Sequence, residues 1–345
     1  TLNGIRRILI TILVAMGVGA LFIVAIGENP IDAYAALFRG AFDGELRLGT
    51  TLAGFTPLLL TSIAFAVAAK AGAFNVGVEG EVFLGGITAA YIGINWTFLP
   101  KPALYVACFV GAMVVAAAWA LIPAVLRAYY NVNEVCTTIL MNTVALYITS
   151  YLVSGPMSAG TANAQSLPVT VRLYQFMKPS SVNVGIFIAA ITVIVIIFML
   201  QKSSWGYKIR TVGLNPTHAD YVGIDSKKVF VGAMMLSGML GGMAGCIEVL
   251  GVHGYFLNNF ATGLGSNGML AALIVKNNMV STPFMAFFLA VLKSGAMGMQ
   301  QSTGVPKSLV DTITAVFIII ATMETAFQFT KKRKKKTEEK KEDKA

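Results

Sequence analysis

The amino-acid sequence predicts an all-α, polytopic membrane protein with about ten transmembrane helices, on three observations. Of 345 residues, 56% are apolar and only 12% charged, with a mean hydropathy of +0.72; soluble domains carry about 25% charged residues. The apolar side chains fall in long runs, several near the ~20 residues that a helix rising ~1.5 Å per residue needs to cross a hydrocarbon core of ~30 Å. The segments between them are mostly short, and the basic residues cluster in alternate ones, as the positive-inside rule requires. The formal charge of +10 does not point to nucleic acid, because Lys331 to Lys344 hold nine Lys or Arg against four Asp or Glu and so supply half of the excess. Cys108, Cys136 and Cys246 each sit in an apolar run without CxxC spacing, so neither a metal site nor a disulfide framework is expected.

Arg6 and Arg7 precede a run from Ile8 to about Ile26, read as the first span with its N-terminus inside; it is long for a signal peptide and no Ala-x-Ala follows. Residues 29 to 48 are mixed, with Ile31, Tyr34, Leu37 and Phe38 near helical spacing, which fits either a short helix on the outer surface or a loop. Further spans are expected near 51–69, 81–99, 103–126, 135–153, 184–200, 229–250, 266–275, 282–299 and 308–328, both termini being cytoplasmic. On that count Arg6, Arg7, Lys70, Arg127, Lys276 and the tail fall inside, and Glu28, Asp32, Asp43 and Glu45 outside. Ser154 to Val182, rich in Ser, Thr, Pro and Gly, reads as an external loop. Residues 1–330 are taken as the permeating domain and 331–345, KKRKKKTEEKKEDKA, as a disordered basic tail on the cytoplasmic side.

Three stretches stand out. AGAFNVGVEGE, Ala71 to Glu81, interrupts two apolar runs with three glycines, an asparagine and two carboxylates. Such backbone survives at membrane depth only where protein or a water-filled cavity satisfies it, which makes Asn75, Glu79 and Glu81 candidates for a pathway; the alternative is a tight cytoplasmic turn with solvated carboxylates. Asn142, in the middle of a span, and Glu248, near the outer end of another with His253 just beyond, are further candidates, against the plainer readings of a helix-to-helix hydrogen bond and contact with interfacial water. Gly238 and Gly242, with Gly241 and Gly245, form two overlapping GxxxG pairs suited to close helix packing.

The third stretch is a polar, basic island from 202 to 228. Asn215 is a good N-cap, Pro216 fits the first helical position and Gly223 can close the last turn at positive φ, so a helix of about two turns is expected between them. Lys202, Lys208, Arg210, Lys227 and Lys228 place it in the cytoplasm, where a soluble partner can grip it.

Enzyme chemistry has few carriers. The sequence contains no GxxxxGK[ST], HExxH or GxSxG and only two histidines. Gly263, Gly265 and Gly268 spell GxGxxG, but no strand precedes them and no acidic residue follows about twenty positions on, so the dinucleotide reading fails. No catalytic residue and no metal ligand is assigned. Transport remains, in one of two forms: a carrier coupled to protons or sodium, which usually needs ionisable groups deep in its spans, or a gate worked by a separate ATPase through the capped helix. A membrane scaffold or receptor, without flux, is the third class.

At this point AGAFNVGVEGE, Asn133–Asn142 (NEVCTTILMN), Val212–Ile224 (VGLNPTHADYVGI), Ser237–Gly254 (SGMLGGMAGCIEVLGVHG) and Gly304–Pro306 (GVP) resemble, in order, the permease subunits of bacterial ABC importers for nucleosides and simple sugars, akin to branched-chain amino acid permeases. The nucleoside branch is the most similar. The resemblance implies a type II importer-like fold in the bacterial cytoplasmic membrane, a second and different permease subunit, cytoplasmic ATPases that bind ATP and Mg, and an extracellular substrate-binding lipoprotein. It also implies that Asn215, Pro216, Thr217, His218, Ala219, Asp220, Tyr221 and Gly223 form a coupling helix in a groove of the ATPase, and that Asn75, Glu79 and Glu81 lie beside the path.

Overall fold

The computed structural model describes residues 17–25, 27–303, 308 and 311–312. The expected spans 8–26 and 308–328 fall largely outside them, and the basic tail entirely so. Among the described residues all regular elements are helices: α1 (Gly17–Ala25), α2 (Pro30–Phe42), α3 (Gly44–Lys70), α4 (Val78–Asn95), α5 (Lys101–Tyr130), α6 (Glu134–Ser154), α7 (Gly185–Lys202), α8 (Ser204–Leu214), α9 (Pro216–Tyr221), α10 (Ser226–Ile247) continued by a π-helical turn (Glu248–His253), α11 (Leu264–Ile274) and α12 (Thr282–Thr303).

Six of these segments are long and apolar enough to cross a membrane, or seven if α1 and α2, bent by 112°, count as one span. The expected count of about ten is therefore not reproduced among the described residues, for two physical reasons. The 11 residues of α11 reach only ~16 Å at ~1.5 Å per residue, half of what a crossing needs. Glu79 and Glu81 dilute the apolar character of α4, and its 18 residues begin well inside the bundle, as shown below. Between α5 and α6 only Asn131–Asn133 are non-helical, so most of the polar RAYYNVNE segment continues the helices.

The chain divides into two compact units, Asp43–Val291 and Thr1–Phe42 with Leu292–Ala345. In the second, Ile23, Ala33, Ala36, Leu37, Ala296 and Met299 form a small apolar cluster. The first is organised around α10, which packs on α5, α4 and α3, while α11 lies on α3. The two GxxxG pairs explain how one helix serves so many neighbours. A Cβ on Gly238 or Gly242 would fall 2.7 and 2.4 Å from the carbonyl oxygens of Ala116 and Ala112 in α5, and one on Gly241 or Gly245 would strike Glu81 and Val82 in α4. The pairs thus face different helices, and small residues let both backbones close in.

Candidate coupling and translocation sites

The break between α3 and α4 is tied to α6 and α10 by side-chain hydrogen bonds. Lys70 ends α3 and Val78 starts α4, yet the first turn of α4 lies against Asn142, midway along α6, and against Gly241, two-thirds of the way along α10. The turn therefore lies inside the bundle, where Asn75, Gly77, Val78 and Gly80 are buried and their backbone groups need protein partners. Two asparagines supply them. Asn75, fully buried, accepts from the Gly77 N–H (2.9 Å) and donates to Glu81 Oε1 and Ser237 Oγ (2.9 Å each). Asn142 accepts from the Gly80 N–H (2.8 Å) and donates to the Val76 carbonyl (2.9 Å). The first N–H groups of a helix lack intrahelical partners, and Gly77 at the N-cap has no side chain to offer; Asn142 supplies the missing acceptor from another helix. Replacing it with Leu, close in volume, leaves a donor and an acceptor stranded, each costing about 1–3 kcal/mol. The expected result is a clearly lowered midpoint of thermal unfolding for the Asn142→Leu protein in lipid nanodiscs, measured by intrinsic fluorescence.

The two carboxylates beside this turn have different surroundings. Glu81 is 1% exposed, and its Oε2, with no hydrogen-bond partner, lies where Gly241 leaves room. Glu79 reaches the start of α11, accepting from the Gly263 N–H (3.0 Å) and the Ser266 hydroxyl (3.3 Å). The GxGxxG glycines are used here for packing: Gly263 takes φ +80° at the N-cap, Gly265 abuts Glu79, and Gly268 abuts Thr61 of α3.

At the far end of α10 the helix widens into the π-turn that begins at Glu248. Glu248 is 8% exposed and stands 3.6 Å from His253 Nε2. Here the segment expected as an external loop, Ser154 to Val182, is stitched to the chain after α10. The N–H groups of Leu173, Val169 and Ser166 donate to the carbonyls of Leu250, Gly254 and Phe256 at 2.9 Å each, Gln175 donates to Gly251, and Arg172 to His253. Val169, Val171 and Leu173 are buried at alternate positions, as in extended chain with one covered face, although no regular strand forms.

The opposite end carries the island. Ser203 caps α8, its hydroxyl accepting from the Gly206 N–H, and α8 runs to Leu214 as a full helix where only a polar flank was expected. Asn215 then accepts from the His218 N–H (3.0 Å) and Pro216 opens the six-residue α9. Gly223 takes φ +79°, and Ile224 N–H donates to the Ala219 carbonyl (2.9 Å), closing the helix as the sequence suggested. Ala219 is buried, whereas Leu214, Tyr221 and Val222 are 88%, 85% and 54% exposed. Asp220, exposed at the end of α9, accepts from the N–H and the hydroxyl of Ser226 at 3.0 and 2.9 Å. Asp225 caps α10; the Lys228 N–H and the Lys228 ammonium, 3.0 Å away, hold its carboxyl below the usual range. Trp205, Lys208, Gly223 and Asp225 line a cleft of about 310 Å³ beside α9.

Comparison with known proteins fits this architecture. Residues 47–322 match the family described as branched-chain amino acid transport system / permease component. The guanosine ABC transporter permease protein NupP of Bacillus subtilis is 32% identical over 95% of this chain and 96% of its own length. The glucose ABC transporter permease protein TsgB13 of Haloferax volcanii is 32% identical over 90% and 85%, and the nucleoside ABC transporter permease protein NupB of Lactococcus lactis 30% over 92% and 91%. With a match over four-fifths of its residues and an apolar helical body of several spans, this multi-pass membrane chain belongs to the ABC permease family, as a transport subunit and not an enzyme.

Proposed function

We propose that this chain is the membrane-spanning subunit of a nucleoside importer, forming part of the translocation path and driven by a separate cytoplasmic ATPase that binds ATP and Mg. The observation that carries the mechanical part is α9, a short helix capped at both ends that presents Tyr221 and Val222 outward while Ala219 anchors it to the bundle. A rigid lever with an exposed apolar tip, in a loop rich in Lys and Arg, suits a groove in a soluble partner. In this reading Asn215, Pro216 and Gly223 shape the lever, Thr217, His218 and Tyr221 meet the ATPase, and Asp220 fixes the lever to α10 through Ser226. A second, different permease subunit completes the path, a binding lipoprotein delivers solute from outside, and both termini are cytoplasmic. Residues 1–330 form the permease domain, and the Lys-rich tail anchors topology.

Two relatives that carry nucleosides or guanosine in their names support the substrate class. The comparable similarity to a glucose permease keeps simple sugars as the second reading. Uptake of radiolabelled guanosine by cells with and without this chain tests the proposal: uptake should vanish with the chain, vanish equally when the ATPase is deleted, and resist excess ribose or glucose. Inhibition by sugar alone would favour the second reading, and uptake by the isolated chain under a proton or sodium gradient would overturn the ATP-driven one.

A further inference from the structure

We propose that Asn258, Asn259, Thr262 and Ser266, ending on Glu79, form the wall by which this chain faces the translocation path, a wall suited to an uncharged, hydroxyl-bearing solute. The proposal rests on the permease reading above and adds the surface that the solute meets.

After the π-turn the chain does not return as a helix: residues 254–263 are irregular until α11 begins at Leu264. This stretch descends alongside α4. At its upper end the Gly254 carbonyl bonds Val169 N–H, next to Thr170, which bonds Gly93 near the end of α4. In the middle, the Phe260 ring packs against Phe83 (centroids 5.6 Å apart) and over Gly86. At its lower end the Gly263 N–H donates to Glu79 in the first turn of α4. From Gly93 to Glu79 is about 21 Å along the helix axis, so irregular backbone crosses much of the depth of a bilayer.

The two sides of this stretch differ in chemistry. Phe256 and Ala261 are fully buried, with Phe260 packed among aromatic rings. On the other side Asn259, Thr262 and Ser266 are exposed, and Asn258 is half-buried, its Oδ1 accepting from the Ser150 hydroxyl (2.8 Å). Irregular backbone with exposed amides and hydroxyls is not tolerated against lipid tails; at that depth it occurs where protein buries it or where it lines water, and in this chain the exposed side is left uncovered. The wall offers two amides, two hydroxyls and one carboxylate, and none of its five residues is basic. The ion pairs found among the described residues do not involve Glu79. Such a surface hydrogen-bonds sugar hydroxyls and carbonyl or amino groups and repels phosphate.

The test uses the complete importer in membranes. Asn259→Cys, Thr262→Cys and Ser266→Cys are introduced with Cys136→Ser, since Cys136 is exposed while Cys108 and Cys246 are buried. Each is treated with a membrane-impermeant methanethiosulfonate, which needs the thiolate and hence water. The wall positions should react about tenfold or more faster than cysteines at the exposed apolar positions Val110 and Ile194, and guanosine should slow them. Reaction at all three positions as slow as at those apolar controls, in importer that still takes up solute, overturns the proposal. Fast reaction in an importer that takes up no guanosine supports the wall and counts against the nucleoside reading alone.

Discussion

Gly245→Val is expected to abolish the folded permease. A Cβ at this position would lie 2.0 Å from the Val82 carbonyl oxygen and 2.7 Å from the Gly86 nitrogen, both backbone atoms that no rotamer change can move aside. Overpacking in a core ordinarily costs ~1–3 kcal/mol, through shifts that relieve the strain. Here the shift is blocked: moving α10 away from α4 presses Gly242 into the Ala112 carbonyl, already 2.4 Å from a Cβ there. A loss well above that range is comparable to the whole stability of a domain, ~5–15 kcal/mol. Gly232→Ala, on the same helix but beside only the edge of the Trp205 ring at 3.2 Å, is the control. Fluorescence-detected gel filtration should show a monodisperse peak for the control and aggregate or no protein for Gly245→Val; a normal peak for both would mean that the two helices do not approach this closely.

Tyr221→Ala with Val222→Ala should separate coupling from folding. Tyr221 is 85% exposed and Val222 54%, so truncation removes little contact within the chain and the thermal midpoint of the isolated subunit should stay put. If α9 is the lever, an interface hot spot is lost at a cost of about 2 kcal/mol or more. Nucleoside uptake should then fall by at least about tenfold, with ATP hydrolysis by the complex no longer stimulated by substrate. Asp220→Ala answers a different question, because its carboxylate holds Ser226 at the start of α10, and that variant should lose stability as well as transport. Full uptake by the Tyr221/Val222 double variant would remove α9 from the coupling scheme.

Much of this architecture was legible in the residue order. The long apolar runs became α5, α6, α7 and α10 within four residues of their expected ends, α3 started seven residues earlier than expected, at Gly44, and the Asn215, Pro216 and Gly223 signals each took the backbone role that their chemistry suggested. What failed to show depends on contacts distant in sequence. Glu79 and Glu81 looked equivalent, but two positions along a helix turn a side chain by about 200°; one therefore reaches α11 and the other is enclosed against α10. Asn142 announced a hydrogen bond without revealing that its partners lie 62 and 66 positions away. The helix α8 was hidden because a short basic segment reads as loop, although Ser203 and the spacing of Ile209 and Val212 were available as signals. The alternation Val169, Val171, Leu173 was a readable sign of extended chain with one covered face, masked by the Ser, Thr and Pro around it.

The asparagine clamp at the α3–α4 turn has a consequence for solvent exchange. Loop amides normally trade their protons for deuterons quickly, being open to heavy water. The Gly77 and Gly80 amides, in and just after a segment without helical bonds, are locked onto the side-chain oxygens of the buried Asn75 and the half-buried Asn142 instead. Their deuteration should be as slow as that of the transmembrane helices around them, which makes this short turn a rigid fulcrum within the bundle.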